Sequence, residues 1–146
     1  NKSRVLPDVL RKVPEALFIK HNPNPNYPEE TVPEDKSEFT YVWRHATSVT
    51  SPDMTLTVKF AGSYIWYNED GWKKNVFYNK RQFAKKFNCP KGILIKGLTY
   101  TFEKNYRWGN QPYGGDALWY VIAEDEEGNM YKGMSILETE SEIQTK

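Results

Sequence analysis

The stretch that decides the fold is Leu98-Thr99-Tyr100-Thr101-Phe102-Glu103, then Asn105-Tyr106-Arg107-Trp108-Gly109-Asn110-Gln111-Pro112-Tyr113-Gly114-Gly115-Asp116, then Ala117-Leu118-Trp119-Tyr120-Val121-Ile122-Ala123. Its first part alternates apolar with polar residues, the pattern of a strand with one buried face. Its last part is apolar on both sides, which predicts a central strand covered twice. Glu124-Asp125-Glu126-Glu127-Gly128-Asn129 then reverses the chain into a third strand over 130–137. The middle part is a loop dense in aromatic rings and glycines. Between adjacent strands it is longer than a hairpin needs, and loops of that kind often carry function.

Upstream, Met54-Thr55-Leu56-Thr57-Val58-Lys59-Phe60 is the clearest alternation in the chain, and Gly62 is expected to break it as a bulge or tight connection. Residues 63–67 and 72–78 should pair as a hairpin about Asn68-Glu69-Asp70-Gly71, since Asp and Gly both tolerate positive φ. Phe39-Thr40-Tyr41-Val42-Trp43-Arg44-His45 reads as a strand, and residues 48–53, with Pro52, as a turn. One convincing helix covers about 80–88. Asn79 can cap it, Phe83 and Phe87 at i and i+4 form its buried stripe, and Pro90 and Gly92 end it.

Residues 1–37 read as an extended Pro/Asn-rich N-terminal arm, with one helical turn beginning at Pro7 and an extended run Asn22-Pro23-Asn24-Pro25-Asn26-Tyr27-Pro28. Residues 38–139 form a single β-rich domain, and 140–146 a polar C-terminal tail. About seven strands to one short α-helix predict a mainly β fold: a small curved antiparallel barrel, OB-like or SH3-like, or a two-layer sandwich.

The 146 residues suffice for one domain with a real core. Charge nearly cancels at +1, so there is no large electrostatic footprint for nucleic acid or membrane. Aromatics reach 15% where all apolar residues total only 38%, so much of the core must be built from rings and some rings should stay at the surface. Cys89 is alone, which excludes an intramolecular disulfide. No stretch has the roughly 20 apolar residues of a membrane-spanning helix. The chain starts at Asn1, which fits a removed secretory signal as well as trimming. The expected setting is secreted or periplasmic, with the Pro-rich arm as a tether from an upstream anchor.

The catalytic inventory is thin. His21 falls in the arm, where a solvated loop position is expected, and His45 near a strand end, where packing or hydrogen bonding is expected. Cys89 precedes Pro90 as a buried, unreactive thiol. No spacing matches a zinc site, a dedicated calcium loop or a phosphate-binding glycine loop, so no cofactor or metal is predicted. Asp116 and Glu103 flank the aromatic loop and would face each other if their strands paired, as a glycosidase pair requires. Lys73, Lys74, Lys80, Arg81, Lys85 and Lys86 interleave with Trp72, Phe77 and Tyr78, the ingredients of a single-stranded nucleic-acid groove. Lysines on the solvent face of a helix are also its ordinary state.

The leading expectation is a non-catalytic binding module. Its candidate contact residues are Tyr106, Arg107, Trp108, Asn110, Gln111, Tyr113 and Asp116, offered to a protein or glycan partner. The alternative use of the loop is structural, with Trp108 and Tyr113 plugging one end of a small barrel. Single-stranded nucleic-acid binding comes second, and a hydrolase centred on Asp116 and Glu103 third.

Overall fold

The structure is a computed structural model and describes residues 6–66 and 71–143. In chain order the elements are α1 (Asp8–Arg11), β1 (Phe18–Asn22), β2 (Glu29–Glu30), β3 (Tyr41–Trp43), β4 (Ala46–Thr50), β5 (Leu56–Trp66), β6 (Trp72–Asn79), α2 (Lys80–Lys86), β7 (Ile93–Leu94), β8 (Thr99–Phe102), β9 (Arg107–Gly109), β10 (Gly115–Glu124) and β11 (Met130–Thr139). The fold is mainly β. Its central sheet runs β11-β10-β5-β6, with β7 added beside β5; two smaller sheets run β1-β4-β8 and β2-β3-β9, and every named pairing is antiparallel. These sheets do not close into a barrel: among the described residues β6 pairs only with β5.

β10 is the covered central strand that its apolar run predicts, buried from Ala117 through Ala123. Val121 and Ala123 pack with Leu17, Ile19, Val49 and the rings of Phe83 and Phe87. Leu118, Tyr120 and Ile122 point to the opposite face, where Leu10 of α1 closes over them. Trp119, together with Ala117 and Leu137, lies at the end of the first face, against Val76 and Tyr78.

Gly62 does not break its strand. β5 continues to Trp66, because a glycine is needed for close approach: a Cβ there would lie 2.2 Å from the Val76 carbonyl oxygen. The irregularity comes one residue later, between Ser63 and Tyr64, where Asn75 of β6 falls out of register and its Nδ2 donates to Ser63 Oγ at 3.3 Å. The hairpin pairing is present, while residues 68–70 of its reversal lie outside the described residues.

The turn expected over 48–53 is also corrected. Residues 46–50 are strand β4, pairing with β1 on one side and β8 on the other. Hydroxyls hold the second pairing, Ser48 with Thr101 at 3.0 Å and Thr50 with Thr99 at 2.7 Å, so a Ser/Thr-rich run serves here as strand.

α2 follows its sequence closely. The Gln82 amide N–H donates to Asn79 Oδ1 and the Asn79 amide N–H donates to Gln82 Oε1, both at 2.9 Å, a reciprocal N-terminal cap. Phe83 and Phe87 are buried and stacked with centroids 4.3 Å apart. Asn79→Ala should cost about 1 kcal/mol in urea unfolding. An unchanged midpoint would mean that the cap contributes nothing.

The segment before β3 is built into the packing. Leu10, Leu17 and Ile19 are core residues, and β1 crosses β11 at Gly133, where a Cβ would meet that of Leu17 at 2.6 Å. Lys132 of β11 is buried and its ammonium donates to the Leu10 carbonyl, while the amide of Lys132 donates to Pro14 O at 2.9 Å. Asn24 and Asn26 bond the same strand further along: Asn24 Nδ2 donates to Ile136 O at 2.9 Å and the Asn26 amide to Glu138 O at 2.8 Å. No helix among the described residues is long and apolar enough to cross a membrane.

Candidate functional site

The aromatic loop does not join adjacent strands. β8 lies in the sheet with β1 and β4, and β10 in the central sheet, so the chain between them crosses from one layer to another. On the way it forms β9, which pairs with β3 in the register Tyr41 to Gly109, Val42 to Trp108 and Trp43 to Arg107. This crossing leaves a cleft of about 490 Å³ between the β3–β9 ribbon and the end of the central sheet, within the size range of small-ligand sites.

One wall is a stack of three groups. Trp43 is fully buried and its Nε1–H donates to Glu140 O at 2.9 Å, which fixes the indole. The Tyr113 ring lies on it with centroids 4.5 Å apart, and the Arg107 guanidinium carbon sits 4.6 Å from the Tyr113 centroid. Gly109 makes room: a Cβ there would be 2.9 Å from Tyr113 Cε1. Beside this stack Tyr106 and Trp108, both half-buried, lie with centroids 6.1 Å apart. Arg44 covers the Tyr106 ring at 5.4 Å and forms a two-pronged pair with Asp35, both contacts 2.8 Å, with Glu29 at 3.6 Å. Bonding to Arg44 holds the Asp35 carboxyl below its usual range. Arg44 is thus compensated. The opposite wall is Trp119 and Tyr78 of the central sheet, their rings stacked at 6.5 Å.

The floor is polar and buried. Asn26 is 2% exposed, His45 5% and Asn105 7%, values at which an unmade hydrogen bond matters. Thr47 Oγ1 is the hub behind them: Asn105 Nδ2 donates to it at 2.9 Å, His21 Nδ1 contacts it at 2.9 Å and His45 Nε2 at 3.3 Å. His21 is therefore not the solvated loop residue its Pro/Asn surroundings predict. It sits on β1 opposite Thr47, 5% exposed, with its ring 5.4 Å from His45 and 6.2 Å from Trp119. Burial, and then the neighbouring His45, push the His21 pKa down to about 3; burial pushes that of His45 down to about 4. Both rings are neutral at pH 7. His45 and Asn26 line the cleft, and their buried atoms His45 Nδ1 and Asn26 Nδ2 have no hydrogen-bond partner among the described residues.

Of the residues singled out in the sequence, Tyr106, Arg107, Trp108 and Tyr113 line this cleft together. Asn110 is exposed and does structural work, its Oδ1 accepting from the Thr40 amide at 3.1 Å, and Gln111 is exposed outside the cleft. Asp116 sits half-buried in β10 opposite Glu138 and does not line the cleft. Its pairing with the strand of Glu103 is overturned: Glu103 is exposed just past β8, whose partner is β4. Lys73, Lys74, Lys80, Arg81 and Lys85 are exposed on β6 and α2, and Lys86 lies 5.9 Å from the Tyr78 centroid and 5.5 Å from that of Phe102. Trp72 and Phe77 border a different hollow beside α1, where Phe77 is 61% exposed and stacks on Phe60 at 5.8 Å. Cys89 is buried, its thiol pushed up to about 11 by desolvation.

Sequence reasoning missed the floor. Asn26, His45 and Asn105 come from three distant segments, and a polar residue at a buried strand position was the only local sign: Trp43, His45, Thr47 and Val49 are all buried, every second residue. No protein-family model, no curated protein and no solved structure matches this chain.

Proposed function

We propose that the chain is a non-catalytic binding module that holds a glycan in the cleft beneath the 105–116 loop. One observation carries this reading: flat rings form two facing walls over a floor with unspent hydrogen-bonding groups. Apolar sugar faces stack on such rings while sugar hydroxyls seek buried polar partners. A protein partner would more naturally use a broad patch than a hollow of about 490 Å³. Among the described residues the lining supplies no carboxylate, lysine or cysteine, and its one imidazole, His45, has no acidic partner on the cleft, which favours binding over turnover.

Titration with an oligosaccharide panel should shift the tryptophan fluorescence. Trp108→Ala should weaken that binding by about tenfold or more while leaving the thermal melt in place, because Trp108 is only half-buried. Unaltered affinity, or a variant that no longer folds, would make Trp108 a structural residue and remove it from the site.

A second reading rests on the exposed Phe77 ring with Lys73 and Lys74 on the same edge strand, a stacking platform beside positive charge. Single-stranded oligonucleotide is therefore the control probe. Binding that collapses with salt and depends on Phe77, not on Trp108, would transfer the function to β6 and α2.

A further inference from the structure

We infer that the cleft selects an acidic sugar, a pyranose bearing a carboxylate, whose charge meets Arg107 and whose hydroxyls meet His45 and Asn26; this rests on the glycan reading above. Charge comes first. Arg107 is the one ionised side chain on the cleft among the described residues, since no Asp, Glu or Lys lines it and the imidazole of His45 is neutral. Among the described residues Arg107 makes no ion pair, whereas nearby Arg44 has two carboxylates. The Arg107 guanidinium carbon lies 4.6 Å from the Tyr113 centroid, and a guanidinium held against a ring can still offer its N–H edge to a carboxylate through two parallel hydrogen bonds.

The floor separates where the charge goes from where the hydroxyls go. Thr47 has one hydroxyl hydrogen for two imidazoles. Given to His21 Nδ1, the shorter contact, it leaves His45 to donate through Nε2 and turns His45 Nδ1 into a bare acceptor. A carboxylate would be repelled by that lone pair, but a hydroxyl can donate to it. Asn26 Nδ2 offers the complementary donor. An acceptor and a donor, both left unsatisfied at 5% and 2% exposure, suit the hydroxyls of a ring whose carboxylate is held elsewhere.

The test compares a glucuronate-containing disaccharide with the same disaccharide as its carboxyl methyl ester, titrated into the full chain at pH 7. The acid should bind at least tenfold more tightly, and raising the salt should erode that advantage. Arg107→Gln should bring the acid down to the affinity of the ester, and Arg107→Lys should retain part of the preference. The ester comparison needs no variant, so a folding defect in Arg107→Gln leaves the question decidable. Equal binding of acid and ester overturns the acidic-sugar inference and leaves the glycan module standing. Absence of binding by either sugar overturns both. A glutamate-rich peptide that binds through Arg107 where the sugars fail would also overturn both.

Discussion

Lowering the pH from 6.5 to 4.5 is expected to remove about 4 kcal/mol of unfolding free energy, most of it through His21 and His45. In the unfolded chain both rings take up protons near pH 6.5. In the folded chain burial delays this until about pH 3 for His21 and about pH 4 for His45. Between those values the unfolded state holds more protons, so stability falls as pH falls. The slope is about 1.4 kcal/mol per pH unit for each ring. Carboxylates whose pKa is lowered by bonding, Asp35 by Arg44 and Asp125 by Asn129, lose their contribution in a more acidic window, below their unfolded value of 3.8. Urea unfolding at half-unit steps of pH measures the slope directly. His21→Gln should roughly halve it. The same slope in that variant would show that the histidines are not its source.

Trp43→Ala should cost about 4 kcal/mol, the range for deleting a buried indole. Trp43 has no exposed surface, packs under Tyr113 and Arg107, and bonds the Glu140 carbonyl just past the end of β11 in the neighbouring sheet. Trp43→Phe keeps a ring under Tyr113 and loses the bond to Glu140, so about 1 to 2 kcal/mol is expected. Denaturant midpoints of the two variants separate the packing from the hydrogen bond. A loss below about 1 kcal/mol in the alanine variant would mean that the ribbon carrying Trp43 adds little to global stability.

How far the sequence could be read depended on whether local pattern and tertiary packing agreed. β10 and α2 were legible because an apolar run and an i, i+4 pair of phenylalanines reflect the burial they meet in the fold. β4 was hidden by its hydroxyls, which stabilise strand pairing yet resemble a turn beside Pro52. β1 keeps the usual rule at Ile19 and Lys20 but inverts it at Phe18, 69% exposed, and at His21, buried, so its hydrophobic pattern was a poor guide. The site divided along the same line. The rings of its loop, Tyr106, Trp108 and Tyr113, are close in the chain and legible there, whereas Trp43, Tyr78 and Trp119 reach it from three other strands. Its floor is assembled by β-pairing and by a loop that crosses between sheets, and no short-range pattern encodes that meeting.

The anchoring of residues 10–26 on β11 also sets the timing of folding. The bond from the Lys132 ammonium to Leu10 joins positions 122 residues apart, and that from the Glu138 amide to Asn24 Oδ1 positions 114 apart. During synthesis the first of these partners emerges long before the second exists, so the early segment must wait, solvated, for the last long strand. Contacts of such sequence separation slow folding and concentrate cooperativity in the final docking step. A nascent chain lacking β11 therefore cannot complete either the central sheet or the cleft it walls.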